Sequence, residues 1–185
     1  MKHLITIPMK KRCSWVSKEE VYIRYHDDEW GTPTHDDREL FEMLVLESFQ
    51  AGLSWITILK KRENFKKAFD DFDVKKVAGY GEDKITELRE NEGIIRHKGK
   101  ITSAINNAKI FIEIQEEFGS FDEYIWSFTD GNIIKAEYLT ESDLSKAISK
   151  DLKKRGMKFV GPTIIYSYLE SIGIIDNHEK ECFKF

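Results

Sequence analysis

"LKKRGMKFVGPTIIYSYLESIG", residues 152–173, is the stretch that decides how this chain is read. Gly156 follows the basic run "LKKR", where a helix terminus favours a residue free to take left-handed backbone angles. Pro162 follows Gly161, and its fixed φ suits the first turn of a new helix, where no N–H is missed. The apolar run after it ends at Gly173, a second C-terminal glycine. The segment therefore reads helix, hairpin bounded by Gly156 and Gly161, helix. Glycines let a backbone turn sharply and approach a ligand closely. Free N–H groups at the start of the second helix form an anion-sized site. Lys153, Lys154, Arg155 and Lys158 would add positive charge around it. The same pattern also fits an ordinary helix–loop–helix corner, and spacing alone does not choose.

Outward from this hairpin the chain is helical. Thr140 with Asp143 predicts a cap before "LSKAISKDLKKR", with Leu144, Ile148 and Leu152 on one face. Asp36 with Glu39 three residues later predicts a capping box. "RELFEMLVLESFQAGL", residues 38–53, follows it and is apolar on nearly all sides, so this helix is expected to be buried. Residues 55–71 predict a helix with a basic face, and residues 82–91 and 100–118 two more, the latter with a stripe of Ile101, Ile105, Ala108 and Ile112. "TDGNIIKAEY", residues 129–138, is the least helical stretch and is expected as a loop or a short extended pair. With only 3 Pro and 11 Gly, and no repeat or low-complexity run, the pattern is all-α.

At 185 residues, one compact domain is expected. No apolar run is long enough to span a membrane, and the first residues hold too short an apolar stretch for a signal peptide. A cytoplasmic protein is the default, and there a disulfide between the two cysteines is disfavoured. The net charge of −4 argues neither for nor against nucleic acid, so any such contact must come from local clusters. Two stand out: Lys60, Lys61, Arg62 and Lys153, Lys154, Arg155.

Cys13 and Cys182 lie at opposite ends of the chain, each with a histidine nearby. His178 and Cys182 are four apart and would share one face of a helix, while His26 follows Cys13 by 13 residues. Two thiolates and two imidazoles fill a tetrahedral zinc shell, which would be structural because no position stays open. Four unrelated residues are the other reading. Glu47 is also unusual. It falls seven residues after Leu40 and three after Leu44, on an apolar helix face where a carboxylate is costly unless paired or used. Trp15, Tyr22, Tyr25, Trp30 and Trp55 lie close by in sequence and could build a stacking pocket or simply fill the core.

"CSWV" (13–16), "YIRYHDDEWG" (22–31), "LFEMLVLESFQAGLSWITILKKRENF" (40–65), "GIIRHKGKI" (93–101), the hairpin segment and "DNHEKEC" (176–182) together resemble the bacterial 3-methyladenine DNA glycosylase I family. The likeness runs from about Cys13 to Cys182, with residues 1–12 as an extension and residues 13–185 as a single glycosylase domain. It implies an all-α helix-hairpin-helix glycosylase fold with a structural zinc joining the N- and C-terminal segments. The ligands implied are Cys13, His26, His178 and Cys182. The resemblance also implies base flipping into an aromatic pocket, with Glu47 as the catalytic pocket carboxylate and Tyr25, Trp55, Trp15, Tyr22 and Trp30 around the base. Gly156, Lys158, Val160, Gly161 and Thr163, with Lys153 and Lys154, would hold the DNA backbone. The partner implied is double-stranded DNA containing 3-methyladenine, and the working form a monomer.

The chain departs from relatives at several points. Bifunctional relatives place a lysine just after the hairpin glycine; Pro162 and Thr163 stand here, so no Schiff-base lyase step is expected. Asp176 lies beside a zinc ligand and is read as structural. Ser48 and Phe49 occupy slots where some members carry Gly and Gln. Two other functions fit parts of the pattern. A non-catalytic binder of alkylated DNA would not need Glu47. A zinc hydrolase would need an open metal position that two cysteines and two histidines do not leave.

Overall fold

The computed structural model describes residues 10–136 and 139–185. Its first elements are α1 (Glu20–Arg24) and, continuing from it, a π-helical turn (Tyr25–Glu29). They are followed by α2 (Asp37–Gln50), α3 (Trp55–Ala68), a 3-10 turn (Asp70–Phe72), α4 (Val74–Ala78) and α5 (Glu82–Glu90). Then come α6 (Lys98–Phe118), α7 (Phe121–Ser127), β1 (Ile134–Lys135), α8 (Asp143–Lys154), α9 (Pro162–Ser171) and β2 (Ile175–Asp176). None of the described helices is long and apolar enough to cross a membrane.

α2 is the central element. Every residue from Leu40 to Phe49 is buried, which explains its all-round apolar pattern. It packs against α9, α6, α3 and α7. Asp36 caps it by accepting from the amides of Arg38 and Glu39. Only the capping half of the expected box forms, because the Glu39 carboxylate accepts instead from the Thr34 hydroxyl. Tyr168 of α9 donates to the Leu40 carbonyl at 3.0 Å and locks the two helices together.

The cap of α8 lies two residues beyond Thr140. Ser142 and Ser145 form a reciprocal capping box, and Asp143 becomes the first helical residue. The serine pair satisfies two backbone donors at once, which Thr140 is too far upstream to do. At the other end of α8 the Met157 amide donates to Leu152 O and the Gly156 amide to Lys153 O, a Schellman closure that needs φ of +101° at Gly156. Gly173 is equally constrained: a Cβ there would sit 2.3 Å from the backbone at Thr32 and Pro33. This close approach lets the loop after the π-helical turn lie against the end of α9, where Thr34 N donates to Ile172 O and Gly31 N to Glu170 O.

The stretch 129–138 yields β1, which pairs in parallel with β2 rather than folding on itself; its last two residues lie outside those described. Of the N-terminal extension 1–12, residues 1–9 also lie outside. Lys11 O accepts from the Phe183 amide, and the Arg12 guanidinium grips Asp27, so residues 11 and 12 are tied to the body.

Candidate functional site

α1, the π-helical turn, α2, α3 and α9 converge on a cavity of about 200 Å³ lined by Trp15, Tyr22, Tyr25, Trp30, Gln50, Trp55, Ser167 and Glu170. Its aromatic walls brace one another: Trp15 lies 5.1 Å from Tyr22 and 4.9 Å from Trp30, and Tyr25 lies 5.4 Å from Trp55, ring centre to ring centre. The π-helical turn matters here because the wider turn carries both Tyr25, which faces the cavity, and His26, which does not.

Glu47 is 2% exposed, and its Oε2 is buried with no hydrogen-bond partner. Burial, reinforced by the charge of Glu170, pushes its carboxyl well above the usual range. The Trp55 indole N–H is likewise buried without an acceptor. Unpaired polar atoms in a protein interior are rare and need a reason. An acid and an indole donor left open beside one aromatic cavity are what a site keeps for a polar, planar guest.

The two chain ends meet behind this cavity. Ligating atoms of Cys13, His26 and Cys182 all lie within 4.8 Å of one another, and these three residues could hold a metal ion. His178 is not within that spacing of all three, but its ring centre is 5.3 Å from that of His26. Each histidine gives its Nδ1 to a carboxylate, His26 to Asp27 at 2.9 Å and His178 to Asp176 at 2.8 Å. That pairing leaves Nε2 of each ring as the nitrogen for a metal, the arrangement of a carboxylate-backed ligand, and the His26 Nε2 already lies 3.4 Å from Cys182 Sγ. The His178 Nε2 is buried without a partner. Burial also lowers the affinity of His26 for a proton, against the pull of Asp27, and keeps the ring neutral. Burial pushes the Cys13 thiol up to about 12, so a thiolate there calls for a cation. The donor set therefore fits a thiophilic metal. Ser14 and Glu179 fasten the same two segments through hydrogen bonds of 2.9 and 2.5 Å.

The hairpin between α8 and α9 is held mainly by its carbonyls. Asn106 donates to Gly156 O, Asn107 to Lys158 O, Ser48 to Phe159 O and Ser149 to Val160 O. Asn107 also accepts from the Lys158 amide at 2.9 Å. Among the described residues the amides of Val160 and Gly161 donate to nothing. Phe159 takes a positive φ of 54°, a strained conformation for a residue with a side chain. Lys153, Lys154, Lys158 and Thr163 are exposed around it, while the Val160 side chain is buried and leaves only its backbone available.

Comparison with known proteins agrees with this geometry. The methyladenine glycosylase family profile matches residues 15–185. The chain belongs to that family. It is 46% identical to DNA-3-methyladenine glycosylase 1 of Escherichia coli (strain K12), over 93% of this chain and 95% of the relative. A crystal structure of a 3-methyladenine DNA glycosylase I superposes with a TM-score of 0.91 at 46% identity, covering 94% of this chain and 98% of the other. A Staphylococcus aureus 3-methyladenine DNA glycosylase I, solved to explain 3-methyladenine recognition, superposes at 0.89 with 39% identity, covering 93% and 95%.

In this methyladenine glycosylase the five aromatic residues singled out from sequence all line one cavity; Glu47 is not in that lining but is buried close enough for its charge to act on Tyr22 and Tyr25. Two expectations about charge need correction. Arg155 does not flank the hairpin as a free cation: it binds Asp151 at 2.8 Å and Glu117 at 2.5 Å and lies over Tyr124. The cluster Lys60, Lys61, Arg62 is likewise paired, Lys60 with Glu19, Lys61 with the Glu92 carbonyl and Arg62 with Glu42 and Glu29. Gln50, Ser167 and Glu170 were missed. Ser167 and Glu170 are three apart in an otherwise apolar helix, the same polar-on-apolar signal that marked Glu47. Asn106 and Asn107, which set the hairpin, gave no such signal, because a pair of asparagines on a helix usually faces water.

Proposed function

We propose that this methyladenine glycosylase removes 3-methyladenine from double-stranded DNA by flipping the damaged nucleotide into the aromatic cavity and hydrolysing its glycosidic bond. The observation that carries this reading is the buried Glu47 carboxyl, its Oε2 without a partner, within electrostatic reach of Tyr25 in the wall of a cavity with room for a single purine. Methylation at N3 gives the adenine a positive charge within DNA. The C1′–N9 bond then breaks with its electron pair going to N9, and the base leaves neutral. Water adds at C1′ and loses a proton, so an abasic site remains. Because the leaving group needs little protonation, the pocket's task is to select and orient a cation.

The walls of the site suit that task. The π faces of Tyr25 and Trp55 attract a cationic ring. A cation in the cavity favours the ionised form of Glu47, which burial alone disfavours. The carboxylate then accepts hydrogen bonds from the adenine edge, each charge-assisted and strengthened by the low dielectric. Leu53, exposed on the loop between Gln50 and Trp55, is an apolar side chain of the sort that fills the gap left by an extruded base. The Lys100 ammonium holds that loop by donating to Phe49 O and Ala51 O. The open amides of Val160 and Gly161, with Lys153, Lys154, Lys158 and Thr163, bind backbone phosphates without reading sequence.

Zinc is the metal proposed for Cys13, His26, His178 and Cys182. It would fasten the segment around Cys13 and His26 to that around His178 and Cys182 and contribute folding energy, with no part in turnover. Incubating the protein with methylated duplex DNA and identifying the released base tests the function. Free 3-methyladenine and an unbroken, abasic strand are expected. Binding without base release would instead make the protein a damage binder.

A further inference from the structure

Glu47 is not the only acid of the cavity. Glu170, in the last turn of α9, forms part of its wall, three residues after Ser167 on the same face. One of its oxygens accepts from Asn177 Nδ2 at 2.8 Å; among the described residues the other accepts no hydrogen bond. Neither Glu47 nor Glu170 forms an ion pair with any described lysine, arginine or histidine. Arg62, the guanidinium whose charge reaches Tyr25, is spent on Glu42 and Glu29. One carboxyl in the cavity wall and a second buried close enough to feel it therefore have no cation among the described residues to balance either. Like charges so placed repel, and the Coulomb effect of Glu170 is one of the causes that hold Glu47 protonated. Such a pair is costly to bury and is relieved by one kind of guest, a cation.

Resting on the function proposed above, we infer that Glu170 is a second acidic wall of the base pocket and a specificity-determining residue that favours a positively charged base over a neutral one. Glu47 takes the adenine edge through hydrogen bonds, which a neutral purine could also make. Glu170 adds a field that only a cationic base feels. Asn177 holds one oxygen of the carboxylate and leaves the other without a hydrogen-bond partner among the described residues, on a side chain that lines the cavity. Burial lifts the Glu170 carboxyl to about 7, so near neutrality a small field suffices to ionise it, and an arriving cation supplies one. Once the bond breaks, the base is neutral and this attraction lapses. The same residue therefore favours the charged substrate and not the released product.

Glu170→Gln separates charge from shape, because glutamine keeps an oxygen for Asn177. Two measurements are made on parent and variant: single-turnover release of 3-methyladenine from methylated duplex, and binding of the free base, under conditions where it is uncharged, by quenching of tryptophan fluorescence. Release is expected to slow by about tenfold, the worth of one modest charge interaction. Affinity for the neutral base should change by less than about twofold. Glu170→Asp, which retains the charge on a shorter arm, should recover part of the rate. An unchanged release rate in Glu170→Gln would overturn the inference. So would an equal loss for charged substrate and neutral base, since that describes a shape defect. A parent enzyme that releases no 3-methyladenine would instead overturn the functional reading beneath it.

Discussion

The tetrapeptide Leu-Lys-Lys-Arg occurs twice, at residues 59–62 and 152–155, and the fold treats the two copies oppositely. In the first, every cation is consumed. Lys60 pairs with Glu19 at 2.6 Å, Lys61 donates to Glu92 O, and Arg62 binds Glu42 and Glu29. In the second, only Arg155 is consumed, and Lys153 and Lys154 stand exposed beside the hairpin. A glycine explains much of the difference. The first copy continues into "ENF" within α3, so its side chains meet the helices on either side. The second ends at Gly156, where the chain turns out into the hairpin and leaves the last-turn lysines in solvent. Charge in a sequence becomes a DNA-binding surface only where the fold leaves it unpaired.

Breaking the half-buried arginine of the first copy should have the largest effect on the fold. Arg62→Ala leaves the buried Glu42 carboxylate without its partner, while the more exposed Glu29 is left to solvent. It is expected to cost about 1–3 kcal/mol, read as a lower midpoint in denaturant, with duplex affinity unchanged. Weaker DNA binding by a folded Arg62→Ala protein would mean the first copy also contacts DNA.

Arg155 tests the part that the two copies share. Its loss removes ion pairs and a stacking contact at the protein surface, for about 1–2 kcal/mol, without altering the salt dependence of DNA binding. Its pH behaviour follows from Asp151. Burial pushes that carboxyl up, but the hydrogen bonds from Arg155 and Tyr124 outweigh it and leave it below the usual range. A carboxyl depressed on folding stabilises above its unfolded value and stops doing so as pH falls through the folded one. The stability gap between parent and Arg155→Ala should therefore close in acid, below about pH 4. A gap independent of pH would leave packing, not charge, as the role of Arg155.

The lysines should move stability least. Replacing Lys153 and Lys154 together by Ala is expected to weaken binding to damaged and undamaged duplexes alike and to lower the salt slope by about 1–2 units. The matching double replacement of Lys60 and Lys61 should leave the slope as it was. Equal slopes for the two double variants would erase the distinction between the copies.

Much of this was legible in the chain because local chemistry dictates it. Gly156, Gly161 and Pro162 state the hairpin in the order a backbone turn requires, and Leu40 to Phe49 state a buried helix by lacking a polar face. Glu47 was legible as a violation of its surroundings, and Glu170 breaks the same rule more quietly. What escaped depends on long-range partners. Nothing near Arg62 in sequence names Glu29 or Glu42, and nothing near Ile134 names Ile175 as its strand partner. The Ser142 cap was missed by two residues because Thr140 and Ser142 are chemically interchangeable as caps, and the reciprocal bond with Ser145 decides between them.

The account rests finally on Glu47, and its most direct test is single-turnover release of 3-methyladenine by Glu47→Gln, run beside thermal melting of the same sample. Glutamine keeps the shape, removes the charge and turns one acceptor into a donor. A charge-assisted hydrogen bond is worth roughly 1.5–3 kcal/mol, so release should slow by about ten- to a hundredfold or more. The melting temperature should hold or rise, because a carboxyl costly to bury has gone. Release at the parental rate by the folded variant would contradict the assignment of Glu47 to the pocket, and a slow variant that had also lost its fold would make Glu47 a structural carboxyl of the core.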